Sequence, residues 1–493
     1  MARNAWSSKD PENTMRIHIN TAWESRSWIW FVFELAVLFA FGGNGLAQQA
    51  MLSPSAGAIP FAESRAPADA ETMFPHSENH RWWIRGQMNF IFQAHPPFHA
   101  DYSGKNSLNP RYEKATSRVM TLFTGVQMNN STELLVDIEE AGGTGLTDGL
   151  GVAGAPNLDV VRNPCLSKAP YLGRGILHKV FGLSKDRVVN DRNALSLFDE
   201  LPRRRLEIRF GKFSMPDFFD VNLVGSDTHL QFANWSVDSN GAYDYTADTR
   251  GYTVGLIADY EDRNWGLRFG EALMPSVANG MDLVWRPWQV HAENFECELR
   301  RSVIPKRAGV FRVLAFTNYA NMGIYRDAVA QFDKGLVSVP DITNHPWHIT
   351  RKYGFGANLE QQITRNLTAF GRFGWNNGKT ESFAFTEIDQ TFAGGLGVYG
   401  STWHRRYDRA GLAIVSNAIS KDHQRYLAKG GHGFIIGDGA LNYGRENIVE
   451  TYYTAHIWRG VYIAPGLQRV VNPGYNRDRG PVLVPSFRLH LEY

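Results

Sequence analysis

Up to its last residue the chain alternates: Phe487, Leu489, Leu491 and Tyr493 take turns with Arg488, His490 and Glu492. Successive side chains of a strand point to opposite sides, so this stretch predicts a β-strand with one apolar and one charged face. The same pattern opens at Trp82, where Trp82, Ile84, Gly86, Met88, Phe90 and Phe92 share one face. Arg85, Gln87, Asn89 and Gln93 lie on the other, with Trp83 and Ile91 among them. Comparable segments recur at 116–128, 132–140, 203–213, 228–235, 250–260, 264–271, 291–300, 309–319, 351–362, 366–376, 391–403, 409–418, 446–457, 460–470 and 482–493. That makes about sixteen strands, many close to the length that a tilted membrane-crossing strand needs.

The lengths of the connections carry independent information. Short links at 129–131, 261–263, 302–308, 363–365, 404–408 and 458–459 alternate with long ones at 95–115, 141–202, 236–249, 272–290, 320–350, 377–390, 419–445 and 471–481. Short turns on one side and long loops on the other are the signature of an outer-membrane β-barrel. One connection, 214–227, is too long for its place in this alternation. Parity puts both ends of the strand series on the side of the short turns. In hydrocarbon an open sheet edge would leave a row of backbone groups unpaired, so the last strand has to pair with the first. The predicted fold is all-β: a transmembrane antiparallel barrel with short periplasmic turns and long extracellular loops.

Composition agrees with this and narrows the partners. Lys and Arg number 51 against 49 Asp and Glu, a balance that argues against nucleic acid, which requires a clustered basic surface, as partner. Mean hydropathy is −0.32, as expected when only every second strand residue is apolar. Near the N-terminus Arg16 and Arg26 precede an apolar run over 28–41, followed by the small residues Gly45 and Ala47. This predicts a signal peptide over 1–47, cleaved after Ala47, with either Met1 or Met15 as the start. Residues 48–80, rich in Ala, Pro and Ser, predict a flexible leader, and 81–493 the barrel domain. Cys165 and Cys297 lie far apart in sequence and are read as free thiols.

Any chemistry belongs on the inward face. Alternation collects Arg85, Asp137, Glu139, Arg205, Glu207, Arg209, Arg268, Glu296, Glu298, Arg312, Glu360, Arg372 and Arg488 there. Both signs on one wall make a field that neutral hydroxylated solutes answer with donors and acceptors alike. Trp83 shares this face with Arg85 and offers a ring on which a sugar can stack. The competing expectation is that such charges pair with one another and only solvate the lumen. No G-x-S-x-G, H-E-x-x-H or C-x-x-C motif occurs, and the stretch 374–380 is one residue short of a phosphate loop. The fifteen histidines lack metal-ligand spacing, so neither cofactor nor metal is expected.

Several stretches resemble the carbohydrate-selective porins of the OprB type from Gram-negative outer membranes. They are Glu-Glu-Ala-Gly-Gly-Thr-Gly at 139–145, Gly-Ala-Pro-Asn-Leu-Asp at 154–159 and Arg-Leu-Glu-Ile-Arg-Phe-Gly-Lys-Phe at 205–213. The others are Gly-Ala-Tyr-Asp-Tyr at 241–245, Asp-Thr-Arg-Gly-Tyr at 248–252 and Asn-Pro-Gly-Tyr-Asn-Arg-Asp-Arg-Gly-Pro at 472–481. The resemblance implies a sixteen-stranded barrel that passes monosaccharides and short sugars by diffusion through a constriction of Arg and acidic residues. It also implies that Phe487, Leu489, Leu491 and Tyr493 form an assembly signal read by the barrel-assembly machinery, with outer-membrane lipid as the surrounding partner. The alternatives are a porin for other small solutes such as organic acids, a barrel enzyme such as a lipase, and an adhesin acting through 141–202.

Overall fold

Sheet closure dominates the architecture. The computed structural model describes residues 72–76, 80–160, 166 and 168–493; the predicted signal peptide, most of the predicted leader and Cys165 lie outside them. Barrel strands run in chain order as β1 (Trp82–His95), β2 (Glu113–Asn129), β3 (Thr132–Gly143) and β4 (Tyr171–Gly182). After a small hairpin of β5 (Arg187–Val189) and β6 (Glu200–Pro202) the barrel resumes with β7 (Arg205–Phe213), β8 (Thr253–Glu261), β9 (Trp265–Leu273) and β10 (His291–Leu299). It continues with β11 (Gly309–Ala320), β12 (Thr350–Gln362), β13 (Leu367–Asn376) and β14 (Gln390–Tyr399). The last are β15 (Arg409–Ala418), β16 (Glu446–Trp458), β17 (Val461–Val471) and β18 (Val482–Glu492). Apart from β5 and β6, every strand pairs antiparallel with its neighbours in sequence, and β18 closes on β1 with Phe90 opposite Leu489. The barrel therefore has sixteen strands.

Alternation sorts the two faces as expected. In β1 Trp82, Ile84 and Phe92 are exposed, while Trp83, Ile91 and Gln93 are buried. In β18 Leu483 and Phe487 face out, while Arg488 and His490 are buried inside. Among the described residues no helix is long and apolar enough to cross a membrane. Strands do the crossing, with all their backbone groups paired in the closed sheet.

The strand count is right because two errors cancel. The predicted strand at 228–235 does not exist: these residues form turns inside the barrel that lead into a short helix, Trp235–Asp238. Their alternation is real but reports packing against the inner wall. Leu230 packs on Tyr462, and the Phe232 ring meets the edge of Tyr452 at 4.8 Å. Wall side chains replace sheet partners: the Glu450 carboxylate accepts from the Ala233 and Asn234 N–H groups at 2.8 and 3.1 Å. The Arg488 guanidinium donates to the carbonyls of Thr228 and Gln231. The missing strand is β4, hidden within the predicted 141–202 loop. Gly173, Arg174 and Gly175 interrupt its pattern, and a bulge shifts its register between Val136 and Ile138 of β3. Leu172 and Leu177 both face outward, five positions apart, which no strict period of two reveals. With β4 in place the anomalous connection becomes the loop 214–252, which belongs to the long-loop side.

Candidate functional site

The inner wall is polar, and several of its charges hold the loop 214–252 across the barrel. Asp220 of that loop meets Arg372 at 2.9 Å and accepts from the Asn358 amide at 3.0 Å. The Asp220 N–H donates to Glu296 at 2.7 Å, and the Leu223 N–H to Glu360 at 2.8 Å. Arg312 bridges Glu298 and Glu360 at 2.8 and 2.7 Å. Arg268 bridges Asp259 and Glu296 at 2.8 and 3.0 Å and also donates to the Phe218 carbonyl. Such charge-assisted bonds to loop backbone satisfy groups that would otherwise be orphaned inside the barrel. Of the residues predicted on sequence, Arg268, Glu296, Arg312, Glu360, Arg372 and Arg488 take these anchoring positions directly or through one another.

The remainder distribute differently. Glu207 is buried between Arg205 (2.6 Å), Arg209 (2.5 Å) and His178 (2.8 Å) near the periplasmic turns. Trp83 faces inward but is only 7% exposed, packed against Phe123 with ring centres 6.3 Å apart, and the Arg85 guanidinium lies 5.8 Å from its ring. Asp137 is buried and salt-bridged to Arg174 at 3.0 Å. Glu139 alone of the predicted set lines the internal cavity.

That cavity has a volume of about 690 Å³. Its lining extends from Asn193, Ala194 and Leu195 on the periplasmic hairpin, past Phe123 and Glu139, to Asp248–Tyr252 and Asn279 on the long-loop side. The Glu139 carboxylate accepts from the hydroxyls of Tyr171 and Tyr252, the latter at 2.9 Å. Arg174, also on the lining, reaches Asp217 at 2.6 Å. The Arg250 guanidinium covers the Tyr171 ring at 3.7 Å. Trp235 and Phe385 stack with centres 5.3 Å apart, and Tyr245 packs on Phe385 at 4.7 Å. The wall of this passage thus offers aromatic faces beside fixed donors and acceptors.

Charge on the lining is unequal. Glu139, Asp159, Asp217, Asp227, Asp238 and Asp248 outnumber Arg174, Arg250 and His229. Burial pushes the loop residue Asp238 up to about 7, with Arg372 pulling the other way. Burial also raises Asp159, but His229 at 3.3 Å and the Asn89 amide outweigh it and hold that carboxyl below its ordinary range. His229 is held above its usual value by Asp159 and Asp227, against the effect of its own burial.

Strand alternation could not have found most of these groups, because Asp159, His229, Trp235, Asp238, Tyr245 and Arg250 lie in loops. The short stretches that carry the family resemblance did contain several, including Glu139, Asp159, Tyr245, Asp248 and Tyr252. Among the described residues no cluster has the geometry of a metal site, and Cys297 carries a buried free thiol on β10.

A closed sixteen-stranded barrel, apolar outside, polar inside and narrowed by an inward-folded loop, defines a porin of the outer membrane. The sequence profile described as "Carbohydrate-selective porin, OprB family" matches residues 177–493. The chain belongs to the OprB family of carbohydrate-selective porins. The match begins within β4, so the resemblance read at 139–145 and 154–159 lies outside the matched residues. Among solved structures the barrel is similar to OprB of Pseudomonas putida, in its high-pH structure, with a TM-score of 0.63 at 14% identity, covering 84% of this chain and 94% of that one. The channel DcaP of Acinetobacter baumannii matches with a TM-score of 0.44 at 8% identity, covering 86% and 100%. Comparison with curated proteins gives no match. The protein is a carbohydrate-selective channel of the outer membrane and not an enzyme.

Proposed function

We propose that the solutes are monosaccharides and short oligosaccharides, which diffuse passively through the cavity into the periplasm. The observation that carries this is the lining itself: Tyr171, Tyr252, Trp235 and Phe385 beside Glu139, Arg174 and Arg250. A pyranose presents C–H faces to rings and hydroxyls to charges of either sign, and it does so without the desolvation penalty of an ion. The excess of carboxylates over guanidiniums opposes the alternative of organic acids, which need a positive passage. Outward side chains such as Leu122, Phe210, Phe269 and Phe392, all exposed, support outer-membrane lipid as the surrounding partner. The closing strand β18, paired to β1 with Leu483 and Phe487 turned outward, supports recognition by the barrel-assembly machinery.

In a planar bilayer the purified protein is expected to conduct ions, and glucose or a short oligosaccharide to block that current saturably from either side. A pore indifferent to every neutral sugar, yet blocked by dicarboxylates, would transfer the assignment to organic acids.

A further inference from the structure

Connections on the periplasmic side run from two residues (130–131) to nine (300–308 and 400–408), except one: 183–204, which carries β5 and β6. This hairpin is tied into the barrel rather than hanging from it. Leu197 is fully buried and shares a core with Trp83, Leu135 and Ile176. Its N–H donates to Glu133 at 3.0 Å, and its carbonyl accepts from the Gln127 amide at 2.5 Å. Glu133, fully buried, also meets His178 Nδ1 at 2.7 Å, and His178 Nε2 meets Glu207 at 2.8 Å. A β-carbon on Gly125 would fall 2.7 Å from Leu197 Cδ1, so the wall is left bare where this leucine lies. Phe198 packs with Val180 and Leu201 to fix the base of the hairpin.

Between these anchors the tip is tight. Asn193 and Ser196 bridge through both backbone groups, and the Asn193 side chain accepts from the Leu195 and Ser196 N–H groups at 2.8 and 3.2 Å. Asn193, Ala194 and Leu195 then line the same cavity as Phe123 and Gln87. A rigid, well-anchored turn at the periplasmic end of a pore differs from a mobile loop, because it fixes the width there.

From this anchoring we infer that the tip 193–196 forms a second constriction, at the periplasmic exit, where a departing sugar passes over the apolar edge of Ala194, Leu195 and Phe123. The inference rests on the sugar-channel reading for its solute, but its effect on ion flow does not. It also gives the buried charges Glu133, His178 and Glu207 a role in positioning this hairpin rather than in contacting solute.

The test introduces Ala194→Cys with Cys165→Ser and Cys297→Ser, and confirms a heat-modifiable folded barrel. A negatively charged methanethiosulfonate reagent is then added on the short-turn side during single-channel recording. Conductance is expected to fall by about half or more on modification, as expected at a narrow point of a pore. Sugar block from that side should weaken in parallel. Replacing 193–196 with Gly-Gly should raise conductance and weaken sugar block from the short-turn side. Modification shown complete by mass spectrometry with conductance unchanged would overturn the inference. Loss of conductance in a protein that no sugar ever blocked would support the exit constriction while defeating the sugar assignment.

Discussion

Asp238 shows how burial alters an ordinary side chain on the cavity lining. It sits on the inward loop, lines the cavity and has its carboxyl pushed up to about 7 by burial. Below that pH it is neutral; above it, a negative charge appears on the lining. His229, whose burial lowers it but which Asp159 and Asp227 hold above its ordinary value, sheds its positive charge as pH rises past that raised value. Both changes make the passage more negative. The ratio of potassium to chloride permeability, from reversal potentials in a salt gradient, is therefore expected to rise between pH 6 and pH 8. Asp238→Asn should remove much of that rise while leaving the acidic plateau in place. A pH-independent selectivity in the native protein would show that Asp238 does not change charge in this range. The same group also affects folding. A carboxyl whose folded pKa is raised binds its proton more tightly in the native state, so stability declines as pH climbs from the ordinary carboxylate range through about 7.

At the scale of the element, β7 is pinned in register by what each face meets. Its outward positions include Ile208 and Phe210, the latter 59% exposed, and its inward positions are Arg205, Glu207 and Arg209. A slip of one residue would send two guanidiniums and a carboxylate into lipid. Ile208→Arg is expected to lower stability by roughly 2–4 kcal/mol if the position lies near the bilayer midplane. Ile208→Ala should cost only about 1 kcal/mol or less, because lipid fills the space that a packed core would leave as a cavity. Urea unfolding in vesicles, followed by gel mobility, measures both. Losses of equal size would place position 208 in a protein interior and not against lipid. The loop 214–252 works on the opposite principle: it has no sheet partners, and its backbone is bound by Glu296, Glu360 and Glu450.

Across the whole molecule, stability depends on closing the ring. The Tyr493 N–H donates to the Gly86 carbonyl at 2.9 Å, and the Tyr493 ring lies over Gly86 so closely that a β-carbon there would come within 2.4 Å of it. Tyr493, directly after β18, is thus clasped on the first strand, with Gly86 providing the room. Tyr493→Ala and Gly86→Val should each lower the yield of folded, heat-modifiable barrel, while the conductance of the molecules that do insert stays unchanged. Normal yield from both variants would mean that the seam between β1 and β18 closes without this contact.

Much of the architecture was legible in the sequence because it follows from a local rule. A strand between lipid and water must alternate, a barrel must close, and turns must differ from loops on its two sides. Those constraints act on neighbours in sequence, so Phe487 to Tyr493 and Trp82 to Gln93 could be assigned to their faces without coordinates. Alternation failed where the local rule was broken or imitated. The bulge with Gly173 and Gly175 hid β4, and 228–235 alternated against the inner wall instead of lipid. For the channel, period two tells which side a residue faces but not what stands before it. Arg372, Glu296 and Arg488 point inward as the pattern requires, yet they anchor the folded-in loop, while Glu139 borders the cavity. Only the tertiary structure decided that difference, because the path of 214–252 across the lumen is fixed by contacts between residues more than a hundred positions apart, such as Asp220 with Arg372.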